Sequence, residues 1–264
     1  GREHHRRVAS VLEALDARRL HGHQCLFGGG TAMALRHGEY RESVDIDFLV
    51  SHREGYRALR QLLSGATGIH AICRPGAEGL TQTREVRADQ YGVRTMLRVD
   101  DVEIKFEIVL EGRITLDAPG DGDLLCGVAT LTPLDMATSK LLANSDRWRD
   151  DSVLSRDLID LAMMMPSKAL LHEAIAKAKG AYDAAIVTDL RNALYTHILN
   201  QSFAFLSGHS TGSLMSHITT DVEKIQSAVS ELAGDFLKEG LMVAGLVAIL
   251  FVKDWRLALL SLFF

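Results

Sequence analysis

The sequence predicts an α+β fold, a mixed sheet with flanking helices and then a helical segment, followed by a stretch that is helical throughout. Three observations carry that expectation. Alternating β-type runs fall before Leu110, helical periodicity dominates from Thr132 onward, and the chain changes character near residue 185. Residues 1–185 hold 51 of the 63 Lys, Arg, Asp and Glu residues and all four prolines, whereas residues 186–264 hold 12 charged residues and no proline. Two domains are therefore expected, 1–185 and 186–264.

Taken in order, residues 5–20 read as an amphipathic helix with Val8, Val11, Leu12 and Leu15 on one face. His23 to Phe27 reads as a short strand, Gly28-Gly29-Gly30 as a turn and Thr31 to His37 as a helix. Ser43 to Val50 reads as a strand that carries Asp45 and Asp47, and Arg53 to Leu63 as a helix. Three β-like runs follow, Thr83–Ala88, Arg94–Val99 and Val102–Leu110. In the last, Glu103, Lys105 and Glu107 share one face and Ile104, Phe106 and Ile108 the other. Thr132-Pro133-Leu134-Asp135 is a strong helix start, with a capping hydroxyl, proline at the first helical position and an acid three residues after the cap. A further helix over Leu154–Met165 turns Leu154, Leu158, Leu161 and Met165 inward and makes Arg156 and Asp160 neighbours, and residues 167–180 form another.

Composition excludes some classes. At 264 residues with 47% hydrophobic, 24% charged and a net charge of −5, the chain can bury a core and has no global basic excess of the kind that advertises nucleic-acid or anionic-membrane binding. Any nucleotide site must be local. Cys25, Cys73 and Cys126 fit neither metal spacing nor a disulfide framework and read as reduced core thiols. The start, Gly-Arg-Glu-His-His, lacks the charged head and apolar core of a signal peptide, so a cytoplasmic location is expected for 1–185.

The chemistry gathers at the glycine turn and the two aspartates. A period of two places both carboxylates on one strand face, Cα atoms about 6.8 Å apart. With a third acid from a neighbouring strand, they would hold Mg²⁺, which takes carboxylate and phosphate oxygens. Strand, glycine turn and helix start form a phosphate-sized niche at Gly28 to Thr31, because free N–H groups point out of a helix N-terminus. It is not a P-loop: no G-x-x-x-x-G-K-[ST] occurs, and the 11 histidines give no metal-ligand spacing.

Gly29-Gly30-Thr31-Ala32, Arg41-Glu42-Ser43-Val44-Asp45-Ile46-Asp47-Phe48, Ile104-Lys105-Phe106-Glu107-Ile108, Lys140-Leu141-Leu142-Ala143 and Arg156-Asp157-Leu158-Ile159-Asp160-Leu161, in this order, resemble the AbiEii-type toxin nucleotidyltransferases of the polymerase β-like superfamily. The resemblance covers residues 23–165. It implies that Gly29 and Gly30, with Thr31 and Ser43, grip the NTP, that Asp45 and Asp47 bind Mg²⁺, and that Glu107 is the third carboxylate. Lys140, Arg156 and Asp160 would line the far side of the nucleotide cleft, with Lys140 catalytic. Family members often carry Asp at the third position; Glu103, on the same strand face, is the alternative to Glu107. The implied activity is Mg²⁺-dependent transfer of NMP to an RNA 3′ end, for instance of a tRNA, or to a protein hydroxyl, with a cognate antitoxin as partner.

The tail reads differently. Ile218, Val222, Ile225, Val229, Leu232 and Phe236 form a narrow stripe, Leu241–Val252 is uncharged, and the chain ends in the apolar run Leu257–Phe264. Arg191 to Leu199, Ser210 to Asp221 and Lys253 to Leu259 resemble the transmembrane region of MsbA-type lipid-exporting ABC transporters, over about 186–264. That resemblance implies long membrane-associated helices, a loop around Gly212 to Ile218 that touches an ATPase domain, a membrane helix through 241–252 and inner-membrane association through 237–264. His217 stands where that family commonly has Arg. No ATPase domain or Walker motif accompanies it, so the whole reads as a hybrid reading frame cut within a hydrophobic element.

Overall fold

The computed structural model describes residues 2–199 except 78, 154 and 184. The stripe from Ile218 to Phe236, the loop around Gly212 and the membrane helix over 241–252 lie outside the described residues.

The N-terminal helix expected over 5–20 is two: α1 (Glu3–Ala14) and α2 (Ala17–Gly22). The chain turns at Leu15 and Asp16, and the Asp16 carboxylate caps α2 by accepting from the Arg19 N–H at 3.1 Å. The expected apolar face holds, with Val8, Val11, Leu12 and Leu15 buried. Strand β1 is Leu26–Gly28, later and shorter than expected, and α3 (Gly29–Arg36) starts directly on the glycines. Next come β2 (Ile46–Val50) and α4 (Arg53–Leu63), the latter as expected. Of the run expected at 83–88 only β4 (Arg87–Ala88) is strand, β3 (Thr81–Gln82) lying just before the run, and the two pair separately with β5 (Gly92–Val99). β6 spans Val102–Leu110, and β7 (Leu124–Leu125) and β8 (Val128–Ala129) form a small hairpin.

The main sheet has the order β1-β2-β6-β5-β3, with β4 also on β5. β2 and β6 run parallel and the other pairs antiparallel, so the sheet is mixed. A parallel pair needs a long crossover, and residues 51–101 supply it with α4, a 3₁₀ turn at Gly68–Ile72 and β3 to β5. The alternation read in β6 is realised: Ile104, Phe106 and Ile108 are buried on the core face. There Phe27, Phe48 and Phe106 form a row with ring centroids 5.5 and 5.6 Å apart, a geometry favourable beyond simple burial. The opposite face carries Asp47 and Glu107.

The helical part begins at α5 (Pro133–Arg147) with the cap the sequence announces, the Asp135 N–H donating to Thr132 Oγ1 at 3.1 Å. α6 (Arg156–Met163), α7 (Lys168–Tyr182) and α8 (Ala185–Leu199) follow, α5 packing against all three. Leu158 and Leu161 face inward as expected, but Met165 is 84% exposed. Pro166 disfavours α geometry at the residue before it, and Met165 takes φ 45° after the helix has ended. Leu154 lies outside the described residues. Ile186, Leu190 and Ala193 of α8 are buried, and Trp148 Nε1 donates to Asp189 at 2.8 Å.

Candidate active site

Gly28 ends β1 opposite Asp47 of β2. The next residue, Gly29, opens α3 at φ 68°, and a Cβ there would stand 2.5 Å from Asp47 Oδ2. Glycine alone lets the carboxylate come down onto the turn in that backbone conformation. A Cβ on Gly30 would collide with the Arg41 guanidinium. Thr31 Oγ1 lies 2.9 Å from Ser43 Oγ and 2.5 Å from the Asp45 carbonyl, on which it donates. The buried His5 accepts from the Ser43 N–H at 3.2 Å; its pKa is lowered by burial, which outweighs the Glu39 charge.

Asp45 lies one residue before β2, which corrects the expectation of one regular strand face carrying both aspartates. Its carbonyl accepts from the Thr31 hydroxyl. Asp47 is in register with Glu107 across the parallel pair. Burial, then the charges of Asp45 and Glu107, push the Asp47 pKa up to about 6. Glu107 accepts from Arg94 Nε and from Lys105 Nζ, each at 2.5 Å. Burial pushes the Glu107 carboxyl up, but those two bonds outweigh it and hold it below its ordinary value. Among the described residues no three His, Cys, Asp or Glu side chains are gathered so as to hold a metal ion. The expected three-carboxylate cluster is therefore not closed, Glu107 being turned onto its two cations. Asp45 and Asp47 do fit a hard divalent cation: neither carboxylate takes a hydrogen bond or ion pair among the described residues, and the repulsion that raises Asp47 is what a bound cation relieves. Glu103 lies four residues before Glu107, roughly 13 Å along the strand, and bonds Thr83 and pairs with Arg98.

The helices bring a second charged cluster to the turn. Lys140 of α5, 5% exposed, has Nζ 2.6 Å from Asp160 and 3.2 Å from Asp157. Asp160, fully buried, also accepts two bonds from Arg41 at 2.7 and 2.8 Å and one from Tyr40 Oη at 2.5 Å. Asp157 takes a matching pair from Arg147 at 2.7 and 2.9 Å. Burial pushes both aspartates up, and the bonds from Arg41 and Arg147, with the Lys140 charge, overcome it and hold both below the ordinary range. Lys140 also bears electrostatically on Asp47. Arg41 thus links the glycine turn to α6.

Of the residues named from sequence, Gly29, Gly30, Thr31, Ser43, Asp45, Asp47 and Glu107 come together, and Lys140 joins Asp160 beside them. Arg156 does not: it is exposed, with Nε on the Val153 carbonyl at 3.1 Å, and Asp160 is claimed by Arg41 and Lys140 instead. Sequence reasoning assigned nothing to Tyr40, Arg41, Arg94, Arg147 or Asp157. A signal existed for Asp157, which stands three residues before Asp160 and so shares its helix face.

The sequence model of the family described as "Nucleotidyl transferase AbiEii toxin, Type IV TA system" matches residues 10–240. Over 77 residues, 29% of this chain, the chain is 44% identical to the ATP-dependent lipid A-core flippase of Syntrophus aciditrophicus (strain SB). Over the same length it is 38% identical to the flippase of Idiomarina loihiensis (strain ATCC BAA-735 / DSM 15497 / L2-TR). It spans 13% of the length of these curated relatives. Among solved structures it is similar to JHP933 from Helicobacter pylori, with 16% identity and a TM-score of 0.43, over 93% of this chain and 98% of that one. With a family model covering most of its length and the glycine turn, aspartates, lysine and helical acid assembled around one niche, the chain belongs to the AbiEii family of nucleotidyltransferase toxins.

Proposed function

We propose that the chain transfers NMP from an NTP to an acceptor hydroxyl, on an RNA 3′ end or a protein, and releases pyrophosphate. The observation that carries this reading is the Asp47 carboxylate, unpaired and set against Gly29 at the start of α3. Membership of a type IV toxin–antitoxin family implies a nucleotide substrate and a cognate antitoxin, and its nucleotidyltransferases generally use a divalent metal; Mg²⁺ is our assignment.

In this reading the backbone N–H groups of Gly29 and Gly30 receive the triphosphate at the positive end of α3. Asp45 and Asp47 would hold Mg²⁺, and Glu107, which here accepts from Arg94 and Lys105, would be the third carboxylate. The metal, when bound, supplies charge neutralisation for the phosphoryl oxygens. Lys140 is fixed by Asp157 and Asp160, and its charge, which bears on Asp47, would attract the phosphates. Arg41 holds Asp160 and lies against Gly30, so it sets the position of the turn relative to that lysine. Incubating the full chain with labelled NTPs and candidate tRNA or protein acceptors tests the reading. Label should appear on one acceptor and vanish with Asp45→Ala plus Asp47→Ala; undiminished transfer by that double variant would sink it.

The proposed division remains a nucleotidyltransferase unit from residue 1 and an exporter-like segment to residue 264. The packing of α8 on α5 and α7 supports extending the first unit from residue 185 to about 200. The flippase likeness favours a second reading for the tail, a transmembrane fragment joined in a hybrid reading frame. Among the described residues no helix is long and apolar enough to cross a membrane. Membrane fractionation of the full chain tests that reading, and recovery wholly in the supernatant would refute it.

A further inference from the structure

Five exposed arginines, Arg53, Arg57, Arg60, Arg84 and Arg87, have guanidinium groups that make no hydrogen bond or ion pair among the described residues. In a chain of net charge −5 that concentration is local. Arg53, Arg57 and Arg60 recur at the four-then-three spacing that puts them on one face of α4. Arg57 and Arg60, with Gln61 and Ser64, line a hollow of about 320 Å³. A second hollow of about 550 Å³ shares Ser64 and reaches Gln82, Glu85 and Val86, between Arg84 and Arg87.

This surface connects to the site through the sheet. Arg87 is the cross-strand partner of Arg94, Arg94 of Glu107, and Glu107 of Asp47. Directly paired residues project from the same face, so the four form one row from the candidate metal carboxylate to the sheet edge. At about 4.8 Å per strand the row is roughly 14 Å long. Where it ends, Tyr56 of α4 donates to the Asp89 carbonyl at 2.9 Å, which ties the arginine helix to the β4–β5 turn. Tyr91 in that turn is 65% exposed.

We propose that this edge is a docking track for the sugar–phosphate backbone of a single-stranded RNA acceptor, running from Asp47 along the row to Arg87 and into the α4 groove. The inference rests on the transfer reading and chooses between its two acceptor classes. Unpaired guanidinium forks spaced along an edge match repeated phosphates, and an exposed tyrosine between them offers a base-stacking platform. An acidic protein surface would place its carboxylates against Glu54, Glu85 and Asp89 as well, whereas a flexible strand can thread its phosphates past them.

The test measures fluorescence anisotropy of a 5′-labelled single-stranded RNA of about 20 nucleotides on the full chain across a salt series. It compares the parent chain with Arg57→Gln plus Arg60→Gln and with Arg87→Gln; NTP affinity and thermal unfolding serve as controls. Each lost phosphate contact should lower the salt slope by about 0.7, so the double variant should lose about 1.4 and bind roughly 25-fold more weakly at 0.1 M salt. NTP affinity and unfolding should not move. Unchanged RNA affinity in both variants overturns the proposal, as does labelling of a protein acceptor by a parent chain that binds no RNA. The two readings separate cleanly. RNA binding that is arginine-dependent without transfer to any acceptor keeps the track and removes the chemistry; transfer to RNA with KM unchanged in both variants keeps the chemistry and removes the track.

Discussion

Asp160 joins more elements than any other side chain of the site, and Asp160→Asn should expose what that junction contributes. The carboxylate is fully buried and takes Tyr40, Arg41 and Lys140 at 2.5 to 2.8 Å. Asparagine keeps the shape but turns one acceptor oxygen into a donor that faces other donors. Removing one partner of a buried ion pair costs about 3–5 kcal/mol. Here Lys140 retains Asp157 and Arg41 is 20% exposed and can meet water, which argues for the lower end, about 3 kcal/mol. For a domain of this size that corresponds to a fall in Tm of about 6–12 °C. The loss must also depend on pH. Asp160 is held below the ordinary carboxylate value in the folded chain, so its contribution is present in full above the unfolded pKa of about 4 and disappears as pH falls through the folded one. Calorimetry of parent and variant from pH 7 to pH 3 checks both parts. A Tm difference below 2 °C at pH 7 would refute the buried-junction argument, and a difference that stays constant down to pH 3 would refute the electrostatic one.

Gly29→Ala should abolish nucleotide transfer and cost about 1–3 kcal/mol, because the methyl meets Asp47 at a left-handed φ of 68°; transfer assays with denaturant unfolding read both effects. Phe106→Ala, at the end of the aromatic row and 1% exposed, should destabilise by about 3–5 kcal/mol, seen as a lower urea midpoint. Truncation after residue 200 should leave a cooperatively folding unit, whereas truncation after 185 removes α8 and uncovers its packing face on α5 and α7; thermal melts and dye binding to exposed apolar surface distinguish them. Lys140→Met should lower kcat far more than it alters NTP affinity if the ammonium acts on charge that develops in the transition state, measured by single-turnover kinetics.

Much of this was legible because local rules and the global fold agree. The alternation in Val102–Leu110 set which face is core, and the Thr132 cap with Pro133 placed the start of α5 to the residue. The glycine turn and Asp47 could be read together since the turn demands glycine and the strand period aims the acid. What was not legible depends on pairing across long separations. Lys105 shares a strand face with Glu107, but nothing near Glu107 announces that Arg94 of the neighbouring strand holds it, and nothing near Arg41 announces Asp160, 119 residues away. Helix spacing makes Arg156 a neighbour of Asp160, but the buried acid takes its donors from α5 and from Tyr40 and Arg41. Asp45 falls one residue before β2, where the Thr31 hydroxyl donates to its carbonyl. Met165 was lost to the proline that follows it.

The parallel pairing of β2 with β6 bears on when the site can exist. Asp47 and Glu107 meet only after the intervening crossover has closed, and non-local pairings of this kind form late because loop-closure entropy must be overcome before they stabilise anything. Lys140 and Asp160 arrive later still as the chain emerges from N- to C-terminus. The niche proposed for nucleotide transfer is therefore incomplete in a nascent chain until the helices after Thr132 have docked.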